Sequence, residues 1–208
     1  MVENTMNKPK VGILAYGSLI SDPRAEIESN RTDTIHGIMT PFHIEFARSS
    51  NGRGGAPTLV PVTTGGAHVR GQVFVMDASE SDAADILYRR EIGKVGDMTR
   101  TYTRPDPVTD RTVLVERLTS FAGLDVVLYT QIAATIIPLT AKRLAELAIA
   151  SVPKADPDRD GISYLIAAKQ HGIATALSPA YEAEILKETE CNTLEEALAK
   201  IQDQSQSR

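Results

Sequence analysis

Apolar and polar positions fall into two regimes along this chain. Over the first two thirds the apolar runs are short. Residues 11–16 form one that stops at Gly17 and reads as a strand. Residues 35–48 are longer, and there Phe42, Ile44 and Phe46 alternate with His43, Glu45 and Ala47, the period of a strand with one face in the core. Residues 51–55 are a glycine-rich loop, and strands are expected at 58–62 and 69–76 around the Gly65-Gly66 turn. Residues 79–92 switch to helical spacing, and strand character returns at 99–103, 112–118 and 125–132. The remainder predicts helices at 140–151, 161–171, 180–190 and 194–202, with Thr140 and Thr193 as N-caps. Strands, one helix, strands and then helices is not the alternation of a parallel α/β protein. The order predicts an α+β fold whose mixed or antiparallel sheet closes into a small barrel, followed by a helical C-terminal third. The 208 residues suit a single domain, with a β-rich core over about 10–135 and a helical extension over about 138–203.

Charge and composition narrow the partners. The chain has 22 Lys plus Arg against 27 Asp plus Glu, a net charge of −5, which argues against nucleic acid or an anionic membrane as the main partner. One cysteine, Cys191, excludes an internal disulfide and a cysteine-rich metal site. No apolar run approaches the ~18–20 residues of a membrane span. Residues 1–10 are polar and lack the apolar stretch of a secretion signal, so the cytoplasm is the expected compartment.

Several motifs carry weak chemistry. Gly12 and Gly17 have the spacing of a phosphate-binding loop, but Ser18 and Leu19 stand where its lysine and hydroxyl belong. The other reading is a strand ending in a turn whose backbone N–H groups can hold a carboxylate. Asp156, Asp158 and Asp160 precede Gly161 like the start of a calcium loop, yet Ala167 replaces the closing glutamate; the plain alternative is Asp160 capping the next helix. His36, His43, His68 and His171 show no metal-site spacing and are expected to face solvent, as is Glu45, which shares a strand face with His43. No nucleophile elbow is present, and Cys191 has no histidine near it in sequence. An enzyme with this sequence is expected to use no covalent nucleophile, no metal and no cofactor.

The helix at 79–92 holds one anomaly. Ala83 and Leu87, widened by Ile86, make an apolar stripe, and its next step of four is Glu91, beside Arg90 and just before Gly93. A carboxylate against apolar surface is suited to exchanging a proton as a general base. The alternative is a glutamate on a frayed last turn, reaching water.

Ala15-Tyr16-Gly17-Ser18-Leu19 and Leu87-Tyr88-Arg89-Arg90-Glu91 together resemble the paired signatures of the γ-glutamylcyclotransferase-like superfamily, the second most of all its ChaC-like branch. Residues 71–76 and 126–129 are similar to its core strands, and 161–165 with 171–173 to ChaC-like C-terminal helices, so the resemblance runs from about residue 11 to 186. It implies release of 5-oxoproline and a free amine from a γ-glutamyl amide, lyase or transferase chemistry without a cofactor. Glu91 is implied as the acid and base. Tyr16, Gly17, Ser18 and Leu19 would bind the substrate, with Tyr129 and Tyr164 lining the pocket or serving as ordinary core tyrosines. After the glutamate, Gly93-Lys94-Val95-Gly96-Asp97 replaces the Gly-Tyr pair of ChaC-like proteins, and the loop 49–56, with Arg53 among glycines, suits a different substrate. The amine therefore stays open. A non-catalytic module on the same fold, binding a small molecule or a protein, is the other reading. An enzyme must place Glu91 in a cleft within reach of the 16–19 turn.

Overall fold

The computed structural model describes residues 9–206, so the N-terminal residues read as lacking a secretion signal lie outside it up to Lys8. Five strands make a mixed sheet in the order β2 (Arg31–Met39), β5 (Arg70–Met76), β1 (Val11–Ala15), β7 (Leu124–Gln131), β6 (Leu114–Phe121). β1 runs antiparallel to β5 and parallel to β7; β2–β5 and β6–β7 are antiparallel. β3 (His43–Ser50) and β4 (Ala56–Val62) pair as a separate hairpin. The fold is α+β, but among the described residues no sheet closes into the expected barrel. β2 and β6 end the sheet as edges, and the hairpin is drawn onto the helical layer, where Ile44 and Phe46 pack with Leu144, Ile162 and Tyr181.

Period-two alternation decides which side chains meet. Val11, Ile13 and Ala15 of β1, Phe74 and Met76 of β5, and Val126 and Leu128 of β7 share one face. They pack under α3 (Glu80–Glu91), which contributes Ala83, Ile86 and Leu87. Leu14, Val73 and Val127 occupy the other face. Gly12 permits the close strand spacing there, since a Cβ would come within 2.6 Å of both Val73 and Leu124. Short helices α1 (Ser18–Ser21) and α2 (Ala25–Asn30) follow β1, and the third layer is α4 (Ala141–Ser151), α5 (Gly161–Gln170), α6 (Ser178–Thr189) and α7 (Leu194–Gln206). Thr140 and Thr193 cap as expected. Among the described residues no helix is long and apolar enough to cross a membrane.

Three local expectations fail for identifiable reasons. The run 35–48 is two strands, not one. Pro41 has no N–H for a ladder, and the Thr40 hydroxyl donates to Phe42 O (2.8 Å) while accepting the Val69 N–H (3.0 Å). Glu45 does not face solvent: it is buried, accepting from the Thr175 hydroxyl at 2.5 Å and the Leu177 N–H at 3.0 Å, so it ties the hairpin to the start of α6. Residues 99–103 form no strand, because the Tyr102 N–H goes to Asp85 Oδ1 (2.6 Å) and its ring packs beside Tyr88. Of the acidic loop, Asp160 caps α5, accepting from the N–H groups of Ile162 (2.8 Å) and Ser163 (2.9 Å), while Asp156 and Asp158 are exposed.

Candidate functional site

The site lies beyond the C-terminal end of β1, between the sheet, the last turn of α3, the hairpin and α5. Ser79 starts α3, its hydroxyl accepting the Asp82 N–H at 3.1 Å. Gly93, at φ 66°, ends the helix with a left-handed residue. That termination frees Arg90 and Glu91 to turn toward the same hollow although they are neighbours in sequence. Their side chains are 12% and 14% exposed, and Arg90 Nη1 donates to Glu91 Oε1 at 2.6 Å, so Glu91 is not on a frayed turn in open water. The other prong of Arg90 donates to Asp22 O (2.9 Å) and reaches Ser18 Oγ (3.3 Å). One guanidinium thus joins the end of α3 to both ends of α1 and holds the carboxylate beside them.

The turn after β1 comes to this point from the other side. Gly17 adopts φ 57° and ψ −136°, a conformation that side chains with a Cβ resist. A Cβ there would lie 2.5 Å from the Tyr164 hydroxyl. Burial pushes the Tyr164 pKa up, and Arg53 and the N–H groups of Leu59 and Ser18 beside the phenol oxygen act against it. Burial thus keeps the phenol protonated, able to donate its hydrogen. The N–H groups of Leu19 and Ile20 are used within the turn, on Tyr16 O (3.4 Å) and Gly17 O (3.2 Å). Leu19 and Ile20 are therefore not the free N–H donors that the sequence suggests for this turn. Tyr16 donates to Thr130 O at 3.0 Å, and burial, then the charge of Glu91, hold its pKa well above the usual phenol range. It stays a neutral donor.

Tyr16, Ser18, Arg90, Glu91 and Tyr164 border one space. A recess of about 60 Å³ is lined by Tyr16, Ser18, Leu19, Arg90, Glu91 and Tyr164, among others. It shares Ser18, Arg90, Glu91 and Tyr164 with an outer cavity of about 730 Å³, a volume suited to a small ligand. Gly17 borders a third hollow of about 180 Å³ on the far side of Tyr164. Of the candidate residues, Tyr129 alone lines none of these cavities. Strand alternation turns it to the opposite sheet face from Leu128, where it stacks on Phe42 with ring centroids 4.4 Å apart. Arg90 is the residue that sequence spacing undervalues, since a helical step of about 100° argues against contact with Glu91 until the helix ends. Arg48, Arg111 and Arg159 also line the outer cavity, and no spacing in the sequence links them.

Gly17→Val is expected to destabilise the fold by on the order of 3 kcal/mol, from the forced backbone conformation and the collision with Tyr164. A fall in the urea midpoint checks this; an unchanged midpoint removes the turn from the account.

No protein-family model, curated protein or solved structure matches this chain.

Proposed function

We propose that the chain is a γ-glutamylcyclotransferase-like enzyme of the cytoplasm, releasing 5-oxoproline and a free amine from a γ-glutamyl amide. The observation that supports this reading is that Glu91 and the turn residues Tyr16, Ser18 and Leu19, far apart in sequence, border the same recess. The substrate brings its own nucleophile. Its α-nitrogen forms a bond to the γ-carbonyl carbon, and the amide C–N bond breaks. The protein has to fold the substrate so that these atoms meet, and orientation of that kind is worth several powers of ten in rate. Two protons leave the α-ammonium and two arrive on the departing nitrogen, so one carboxylate that accepts and returns a proton in turn balances the reaction without consuming water. Glu91 takes that role. Arg90 is a positioning residue, holding the carboxylate at 2.6 Å while it is anchored on Asp22 and Ser18. The Tyr164 phenol donates to the oxygen that becomes negative as the ring closes.

The test is a panel of γ-glutamyl amides incubated with purified protein and assayed for 5-oxoproline. Release from at least one member, dependent on protein concentration, is expected. Binding of panel members with no 5-oxoproline from any of them favours the non-catalytic module.

A further inference from the structure

The outer cavity is far more basic than the chain that surrounds it. It is lined by Arg24, Arg48, Arg53, Arg90, Arg111 and Arg159 against two acids, Asp22 and Glu91, in a protein of net charge −5. Both acids are already matched: Asp22 Oδ1 lies 2.9 Å from Arg24, and Glu91 pairs with Arg90. Among the described residues, Arg48, Arg53, Arg111 and Arg159 form no ion pair. Two of them are held in place by neutral groups instead. Arg48 donates to the carbonyls of Asp110 (2.7 Å) and Ala133 (2.8 Å). Arg53 donates to Arg159 O (3.3 Å) and lies over the Tyr164 ring at 4.7 Å. Arg159 keeps a buried Nε without a hydrogen-bond partner. Burial lowers the Arg53 pKa, and the charges of Arg159 and Arg90 add to it, while Tyr164 and Asp22 oppose them. A guanidinium nonetheless stays charged. Fixed, uncompensated guanidinium groups around a concave space are the arrangement that recognises carboxylate or phosphate in paired hydrogen bonds.

We infer that the outer cavity binds a multiply anionic group. On the reaction proposed above, on which this assignment of substrate class rests, that group is the departing amine's own substituent. The substrate is then a γ-glutamyl amide whose amine carries two or more oxyanion charges, with its glutamyl end at Glu91 and its anionic end among Arg48, Arg53, Arg111 and Arg159. A cationic or apolar amine leaves those four charges unmatched.

The experiment compares γ-glutamyl-aspartate and γ-glutamyl-phosphoethanolamine with γ-glutamyl-alanine and γ-glutamyl-putrescine, measuring kcat/KM for 5-oxoproline release by the wild-type protein and calorimetric binding to Glu91→Gln. One or both of the first two are expected to exceed putrescine by about a hundredfold in kcat/KM. The advantage is expected to shrink as salt rises from about 0.05 to about 0.5 M, because screening weakens charge recognition. The carboxylate and phosphate arms show which oxyanion the site prefers. Arg53→Gln and the exposed Arg111→Gln are expected to raise KM for the preferred anionic substrate about tenfold and to narrow its lead over γ-glutamyl-alanine. The salt series on wild type keeps the test decisive if a variant does not fold. Turnover of γ-glutamyl-putrescine as fast as the anionic members overturns the inference and leaves the reaction standing. Salt-sensitive binding of γ-glutamyl-aspartate without any 5-oxoproline does the reverse. Absence of both overturns both.

Discussion

Glu91→Gln is expected to leave the protein folded and to lower kcat for 5-oxoproline release by about a thousandfold. The size of the effect follows from what the substitution does not change. Glutamine keeps the length of the side chain and a carbonyl oxygen that accepts the Arg90 bond now made at 2.6 Å, so the link from α3 to Asp22 and Ser18 survives. On the proposed reaction, what disappears is the capacity to take a proton from the α-ammonium and return it to the leaving nitrogen. KM is therefore expected to move little, and the loss to fall on kcat, the pattern of an interaction needed only for the chemical step. Steady-state kinetics with a thermal melt as control checks this. A variant that turns over like the wild type removes Glu91 from the mechanism. A variant with normal kcat and a tenfold higher KM would make Glu91 a binding residue instead.

Glu91 is legible before any coordinates because a helix is periodic. The stripe Ala83, Leu87, Glu91 needs only helical spacing, and Gly93 marks where the helix must stop. Gly17 is legible for a similar local reason, as the residue that ends an apolar run. Strands β1, β5, β6 and β7 and the four C-terminal helices follow from the same two periods, whereas β2, which alternates irregularly, merges in sequence with the longer run that Pro41 splits. The misses lie where non-local contacts override a local pattern. Glu45 alternates like a solvent-facing residue, yet its face is covered by the loop before α6, which supplies a hydroxyl and an N–H to its carboxylate. Tyr129 sits on the correct strand, but its parity points it away from the cavity. α1 is too short to show a period at all. The arginine cluster is the clearest case. Arg48 comes from β3, Arg53 from the hairpin loop, Arg111 from the segment before β6 and Arg159 from the loop before α5. Only the topology assembles them, and a net negative charge over the whole sequence hides their local excess.

Arg89→Met is expected to destabilise the protein by about 3 kcal/mol near neutral pH, and by less as the solution is acidified. Arg89 is the buried neighbour of the site residues, its side chain 6% exposed, and its Nε donates to Glu26 at 2.9 and 3.1 Å. The Arg89 bonds above all, helped by the Gly96 N–H, hold the Glu26 pKa below its usual 4.5, against the opposing effect of partial burial. A carboxyl with a depressed folded pKa stabilises the protein above its unfolded pKa, and that contribution is lost as pH falls through the folded value. Without Arg89, Glu26 is left in the same largely buried place with one N–H donor, so the folded state then favours the protonated acid. Stability of the variant relative to wild type should recover as the pH drops below about 4.5. Urea midpoints across that range for wild type, Arg89→Met and the double variant with Glu26→Gln measure this. The double variant should regain part of the loss at neutral pH, because it removes the uncompensated charge. A deficit that does not change with pH would mean that Arg89 acts by packing alone. The pair also bears on the site. Arg89 donates to Arg100 O (3.1 Å) and Glu26 accepts the Gly96 N–H, so together they hold the loop that carries Gly93 and Val95 of the cavity wall. Loss of the pair should therefore raise KM at temperatures where the variant is still folded, whereas Glu91→Gln should lower kcat without loosening the wall.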